Sequence, residues 1–466
     1  MTTASPAARQ TKSVSSSQAT TILLLLYGSL VLSYVDRAVF ALSLKPIKAA
    51  LHLTDTQLGT LTGFAFAICY AAFSPIAGRL GDRYSRKRVL MAAIAVWSLA
   101  TMATALAGSF PMMFLVRGVV GAGEAAVLPL AVTLIGDTRR EPSARHRAVG
   151  IFLSAGMVGQ IAALLFGGAL VQHLPALGLL APWQTVFILA GLVGFAMILI
   201  IGLFMSDPPR EAPSAGLKDV ESRSAFAFAR SNARLLLTLY GGLSFLQMPM
   251  ITVSGWIILA LERQHGWSAG QAGLYLSLTG GTAAILGSFM SGRVIRAVEG
   301  RFGPTAPLIV GVATAAAFAL FTSLGLRTND PVVSIGCIAL GFVFALGPSA
   351  CAFAIMAEAL PPGVRAQLAG FNTMSNAVIC NTLGAFAVGV LSDRVFRSEA
   401  GLVDALAVLQ AGAIAIGGAI VLSGLGGYTR RMRLLSTAAA AEAHRLANVP
   451  LDPTAVNRAA YERTAK

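Results

Sequence analysis

Charge is scarce in this chain. Only 12% of its 466 residues are Asp, Glu, Lys or Arg, against about 25% in a soluble globular domain. That deficit, beside a 56% hydrophobic content, excludes an ordinary water-soluble fold. Cysteine is nearly absent too. Cys69, Cys337, Cys351 and Cys380 all lie in apolar runs, without the paired spacing of a metal-ligand set, and read as small packing residues. The five histidines (His52, His146, His173, His265, His444) fall in predicted loops or tails, and no H-x-x-x-H, G-x-S-x-G or G-x-x-x-x-G-K-S/T segment occurs. A nucleophilic or metal-dependent enzyme and an ATP-driven pump both need such segments. The chain therefore reads as no enzyme, with no cofactor and no metal.

What the sequence has in abundance is apolar length. Twelve segments are marked at 19–44, 58–78, 88–108, 111–135, 148–171, 183–205, 234–261, 270–291, 305–326, 332–357, 367–391 and 405–427, most of them reaching the ~20 residues that an α-helix needs to cross a bilayer core. The expected fold is all-α and polytopic, with twelve transmembrane helices in two six-helix bundles. The polar stretch between the sixth and seventh segments gives the domain plan: a tail 1–18, a first bundle 19–205, a linker 206–233, a second bundle 234–427 and a tail 428–466. The first hydrophobic run is too long, and is followed by too many others, to be a removable signal.

Of 35 Lys and Arg residues, Lys45, Lys48, Arg263, Arg327, Arg394 and Arg397 fall in loops on one side, and Arg37 and Arg117 fall within spans. The other 27 lie on the side of the termini, so the positive-inside bias makes both termini cytoplasmic and the location an inner (plasma) membrane. The net charge of +15 is thereby a feature of membrane topology facing lipid headgroups, with no nucleic acid implied. The segment after Tyr428, with Arg430, Arg431 and Arg433, reads as a basic tail lying against anionic lipid.

The halves echo one another. GVVGAGEAAVLPLAVTLIGD before SARHRAVG resembles GFVFALGPSACAFAIMAEAL before PGVRAQLAG. A parallel repeat places a substrate path near the midplane, between bundles that rock by alternating access. Glycines at 150, 156, 159, 167 and 168 serve close helix packing, and Pro249 and Pro348 are expected to kink their helices.

Four charges interrupt the apolar runs: Asp36 and Arg37 in the first, Arg117 and Glu124 in the fourth. An ionised side chain in hydrocarbon costs roughly 2.5–3.5 kcal/mol or more, so such residues face a protein interior or a wet cavity. They point to a transporter. Arg117 and Glu124 are seven apart and project from one helix face about 10.5 Å apart along the axis. This spacing permits Asp36 to meet Arg117 and Arg37 to reach Glu124. Glu124 is the preferred proton carrier, since moving a guanidinium beside a carboxylate in a low-dielectric cavity changes its hold on a proton; Asp36 is the second candidate.

Between the second and third spans the chain reads Gly78-Arg79-Leu80-Gly81-Asp82-Arg83-Tyr84-Ser85-Arg86-Lys87-Arg88-Val89-Leu90. This resembles the thirteen-residue signature G-x-L-x-D-R-x-G-R-K/R-x-x-L of the major facilitator superfamily, with Ser85 where glycine is usual. The resemblance implies a cytoplasmic latch between halves, formed by Gly78, Asp82, Arg83, Arg86 and Lys87. More finely, residues 25–170, through SYVDRAVFALSLKPIKAALHLTDTQLGTLTGFAFAICYAAFSPIAGRLGDRYSRKR, RGVVGAGEA and RAVGIFLSAGMVG, are similar to the bacterial branch of the spinster family, whose animal members export lysophospholipids and sphingoid phosphates. It implies that Asp36, Arg37, Arg117 and Glu124 take part in coupling. One departure stands in the fifth segment: Ala163 and Leu164 replace the Gly-Pro of the superfamily's antiporter signature, so no coupling direction is read.

The second half carries no such charge; Gly347 falls where the repeat would place Glu124. Its polar candidates are Tyr240, Gln247, Tyr275, Thr279, Asn372, Asn376 and Asn381. A charged half facing an apolar one suits an amphipathic, lipid-like substrate, its headgroup near Arg37, Arg117 and Glu124 and its tail along helices seven, eight, ten and eleven. The expectation is a monomeric, proton-coupled secondary carrier of such a solute. The alternative is a proton-coupled organic-anion symporter in which Arg37 and Arg117 clamp a carboxylate.

Overall fold

The structure, a computed structural model, describes residues 15–139, 141–173, 180–208, 228, 230–359 and 375–447. Among them the regular structure is helical, without a strand. The membrane helices are α1 (Ser16–Leu42), α2 (Asp55–Arg83), α3 (Arg86–Thr104), α4 (Phe110–Thr138), α5 (Ser143–Val171), α6 (Pro182–Phe204), α7 (Ala233–His265), α8 (269–302), α9 (Ala306–Arg327), α10 (Pro331–Met356), α11 (Ala377–Phe396) and α12 (Gly401–Ala447). A short helix, Leu44–Leu51, joins α1 to α2.

α8 and α9 form one apolar helical stretch of 59 residues, Ala269–Arg327. At 1.5 Å per residue it would run about 88 Å, nearly three bilayer cores. Gly303 divides it: its φ of 59° and ψ of −146° suit only glycine, and α9 returns alongside α8. Twelve crossings result, as the sequence predicts, in two lobes of six, α1–α6 and α7–α12. An even number of crossings puts the ends of α1 and α12 on one face, the terminal face; the opposite one is the far face.

The same start signal opens corresponding helices of the two lobes. Thr54 and Gln57 form a reciprocal capping box at α2, and Ser268 and Gln271 form one at α8, each satisfying two otherwise orphaned backbone donors. Ser85 accepts a hydrogen bond from the backbone N–H of Arg88 at 3.3 Å and caps α3, which gives a physical reason for serine where the superfamily pattern has glycine.

α2, α5, α8 and α11 share a second feature: each widens into a π-helical turn, at Leu61–Ala65, Ala163–Gly167, Leu276–Gly281 and Ala377–Gly384. These turns meet in pairs across the lobe boundary, α2 on α11 and α5 on α8. A Cβ on Gly63 would lie 2.5 Å from the carbonyl oxygen of Asn381, and one on Gly273 2.4 Å from that of Leu164, so backbone touches backbone at both seams. The seams belong to the far half of the molecule. Along α2, Asp55, Leu58, Gly59, Leu61, Gly63, Ala65, Phe66 and Ala67 are buried, whereas from Ile68 to Arg83 only Ala77 and Gly81 are. The lobes close together on the far face and part toward the terminal face.

The segment expected at 367–391 is seen from 375, and its helix runs on to Phe396; residues 360–374, with Asn372, lie outside the described residues. The linker also falls largely outside them. α12 extends past the boundary set at 427, continuing as helix to Ala447.

Candidate functional site

Ser33 and Arg37 are one helical turn apart on α1, so both side chains reach the same neighbour on α4. Ser33 donates to Glu124 Oε2 at 2.6 Å, and Arg37 Nε and Nη2 each approach that oxygen to 2.7 Å. The close approach of α2 helps to build this arrangement. At Gly121, one turn before Glu124, a Cβ would stand 2.4 Å from the carbonyl oxygen of Phe66. Phe66 thus reaches the Arg37 guanidinium, 4.5 Å from its ring centre, with Tyr34 and Tyr70 at 5.1 and 5.3 Å, a cation–π surround.

Asp36 points to a different neighbour. It is 2% exposed and accepts a hydrogen bond from Thr101 of α3 at 2.9 Å. The guanidinium of Arg117 stacks 4.0 Å from the ring centre of Phe40, and no direct ion pair joins it to Asp36. The Arg37–Glu124 contact permitted by the spacing is therefore formed, and the Asp36–Arg117 contact is replaced by Thr101 on one side and Phe40 on the other. The level of a residue along a helix is legible from sequence; rotation about the axis decides its partner.

Three polar atoms in this cluster, Asp36 Oδ2, Arg117 Nε and Glu124 Oε1, are buried without a hydrogen-bond partner among the described residues. Buried groups in that condition cost about 1–3 kcal/mol each. Their owners are sealed, whereas the Arg37 side chain is 30% exposed. Arg37 is thus the member of the cluster that is not sealed within the protein interior.

The second lobe supplies hydroxyls and amides. Gln247 Oε1 accepts from Ser349 at 2.9 Å and from Asn376 Nδ2 at 3.3 Å, while Asn376 Oδ1 accepts from Ser244 at 2.6 Å. Ser375 donates to the carbonyl of Tyr240 at 2.9 Å. The Tyr240 hydroxyl is buried with no partner among the described residues. Gln247, Asn376 and Tyr240 are brought together, then, joined by Ser244, Ser349 and Ser375. Tyr275 and Thr279 stand apart on α8, Tyr275 exposed against Trp267 and Thr279 donating to the carbonyl of Tyr275; Asn381 is exposed, its backbone in the α2–α11 seam.

In the first turn of α3, Arg86 pairs with Asp137 of α4, and Lys87 donates to the carbonyl of Gly202 near the end of α6 at 2.8 Å. Both contacts lie within the first lobe. Asp82 and Arg83 are exposed at the terminal face. The glycine in tight contact is Gly81, whose Cβ would lie 2.4 Å from Leu130; Gly78 has room.

Sequence reasoning missed Ser33, Thr101 and the aromatic residues around Arg37. It also missed a far-face cluster around Asp55, because that residue stands just before the segment assigned to the membrane.

A two-lobed, twelve-helix bundle with ionisable groups sealed at its centre defines a membrane transporter. The family model of the Major Facilitator Superfamily matches residues 26–385, and the chain belongs to that superfamily. An "MFS-type efflux pump" of Mycolicibacterium smegmatis is 27% identical over 366 residues, 78% of this chain and 82% of that protein. "Protein spinster homolog 1" of Rattus norvegicus is 27% identical over 402 residues, 81% and 73% of the two chains. Among solved structures, a bacterial homolog of the human lysosomal transporter Spinster, inward-facing and unoccupied, superposes with a TM-score of 0.75 at 22% identity, covering 91% of this chain and 99% of that one. The chain is a transporter of this superfamily, similar to the spinster proteins, and not an enzyme.

Proposed function

We propose that this protein is a proton-coupled secondary carrier that moves an amphipathic, lipid-like organic solute across the inner membrane by alternating access, acting as a monomer with both termini cytoplasmic. The observation that carries the reading is the Arg37–Glu124 pair, whose carboxylate is sealed while the arginine side chain stays 30% exposed. A substrate headgroup that draws Arg37 away leaves Glu124 in a dry site without its counter-charge, and a proton then replaces the arginine. Release of the substrate returns Arg37 and expels the proton. Binding and protonation are thereby linked through one side chain.

The uneven polarity of the two lobes supports the substrate class. The charges of this cluster come from α1 and α4, and the second lobe offers the neutral Gln247–Asn376–Ser349 network and the Tyr240 hydroxyl, unpaired among the described residues, suited to an amide, ester or hydroxyl beside an acyl chain. In this reading Gly78, Asp82, Arg83, Arg86 and Lys87 latch the cytoplasmic face when the far face opens. The domain plan of two bundles joined by the linker 206–233 provides the rocking units. An organic anion held by both arginines is a less favoured substrate, because Arg117 lies 3% exposed against Phe40.

The test is substrate-driven pH change in liposomes containing the purified protein, with a lysophospholipid, a sphingoid phosphate and a small carboxylate offered in turn. Proton movement with the amphiphiles alone supports the reading. Movement with the carboxylate alone replaces the substrate class, and transport unaffected by a pH gradient removes the coupling.

A further inference from the structure

Four charges form a closed ring on the far face, alternating in sign. Asp55, in the first turn of α2, meets Arg263 near the end of α7 at 2.7 Å; Arg263 meets Glu399, between α11 and α12, at 2.7 Å; Glu399 meets Lys48 of the short helix at 3.0 Å; and Lys48 returns to Asp55 at 3.0 Å. Asp55 and Lys48 belong to the first lobe, Arg263 and Glu399 to the second. The ring thus crosses the lobe boundary twice.

Asp55 is its anchor. Both its oxygens accept from Arg263, at 2.7 Å each, and Ser392 of α11 adds a third bond at 2.7 Å. Its side chain is 3% exposed and that of Arg263 8%, against 70% for Glu399. The backbone of the same turn is held from across the boundary, since the Asp393 carboxylate accepts from the N–H groups of Asp55 and Thr56 at 3.1 and 2.6 Å. Directly beneath, Gly59 and Gly389 let α2 and α11 touch: a Cβ on Gly59 would lie 2.3 Å from the carbonyl oxygen of Ala385, and one on Gly389 2.3 Å from that of Asp55. The other seam, α5 on α8, closes through small residues, with Gly168 against Ala269 and Gly270. The polar clamp is on one edge.

We propose that the Asp55–Arg263 pair, within this ring, is the gate that holds the far face closed, and that it parts whenever that face opens. Separating the lobes would leave Asp55 without Arg263 and Ser392, so opening requires water to take their place. Parting two desolvated charges costs far more than parting exposed ones, which puts the energetic weight on Asp55 and Arg263 and little on Glu399. This assignment concerns the conformational equilibrium alone and stands apart from the choice of substrate or coupling ion.

The experiment is double electron–electron resonance on the full chain in lipid nanodiscs, without substrate. The native cysteines are replaced, and spin labels are placed through Ala50→Cys and Ala400→Cys, exposed positions on the two lobes at the far face. In the parent a dominant short-distance population with a minor longer-distance one is expected. Asp55→Asn and, from the other partner, Arg263→Gln should each raise the ratio of a longer-distance population to the short one by about tenfold or more, while Glu399→Gln changes it less than twofold. Distributions for Asp55→Asn and Arg263→Gln that superpose on the parent's overturn the gate, and so does a Glu399→Gln effect as large as theirs. Arg263→Gln carries the test alone if Asp55→Asn fails to fold. Because no transport is read, failure here is distinct from failure of the proposed function.

Discussion

Arg37 directs two of its nitrogens at one oxygen of Glu124, each at 2.7 Å, and leaves the other carboxylate oxygen buried without a partner among the described residues. The pair is thus made through half of the carboxylate. The free half is where a proton would sit when the arginine leaves.

Replacing Glu124 by Gln keeps an acceptor for Ser33 but removes the exchangeable proton and the charge that holds Arg37. The expected outcome is loss of substrate-driven pH change, with substrate counterflow retained at a tenth or more of the native rate. Liposome measurements with a trapped pH dye and labelled solute read both quantities. Unchanged proton movement would remove Glu124 from the coupling role.

Arg37→Lys preserves the charge and tests the geometry. A lysine ammonium cannot present Nε and Nη2 together, nor lie flat between Phe66, Tyr34 and Tyr70. Transport should fall by about tenfold or more, on the scale of one lost charge-assisted bond of about 1.5–3 kcal/mol. Rates equal to the native protein's would mean that charge alone suffices at this position.

Thr101→Val removes the hydrogen bond to Asp36 and leaves that buried carboxyl group with no partner on either oxygen among the described residues. The cost expected is about 1–3 kcal/mol, read as earlier thermal unfolding in detergent, and Thr101→Ser should recover most of it. If coupling passes through Asp36, the pH profile of transport also moves in the valine variant and returns in the serine one.

How far the site was legible follows from these residues. Asp36, Arg37, Arg117 and Glu124 announce themselves because a charge in an apolar run has few innocent explanations. Thr101 does not, since hydroxyls within helices usually bond their own backbone one turn back, as Thr104 does to the Ala100 carbonyl and Ser29 to that of Leu25. Nothing local separates Thr101 from Thr104. The lobes, their repeat and the division of α8 from α9 were readable from apolar length and from matched segments, the eighth ending at 291 and the ninth beginning at 305, whereas nothing marked Gly303, one of 48 glycines, as the residue that turns the chain. The far-face ring escaped because its members are loop or helix-end charges, which sequence alone assigns to solvent; only the tertiary fold buries Asp55.

Tyr240 separates the substrate proposal from plain packing. Its hydroxyl is buried and unpaired among the described residues, so Tyr240→Phe breaks no hydrogen bond among them and should leave thermal stability unchanged or raise it by roughly 1–3 kcal/mol as the orphaned group is deleted. If the hydroxyl faces the solute, the same change raises the substrate concentration for half-maximal transport by about tenfold while the maximal rate stays near native, the pattern of a contact made equally in binding and translocation. Titrating lysophospholipid transport in the variant, beside a melting curve, reads both at once. A stability gain with no change in substrate dependence would place Tyr240 outside the binding path, and the neutral wall would then rest on Gln247 and Asn376, whose side chains bond each other at 3.3 Å.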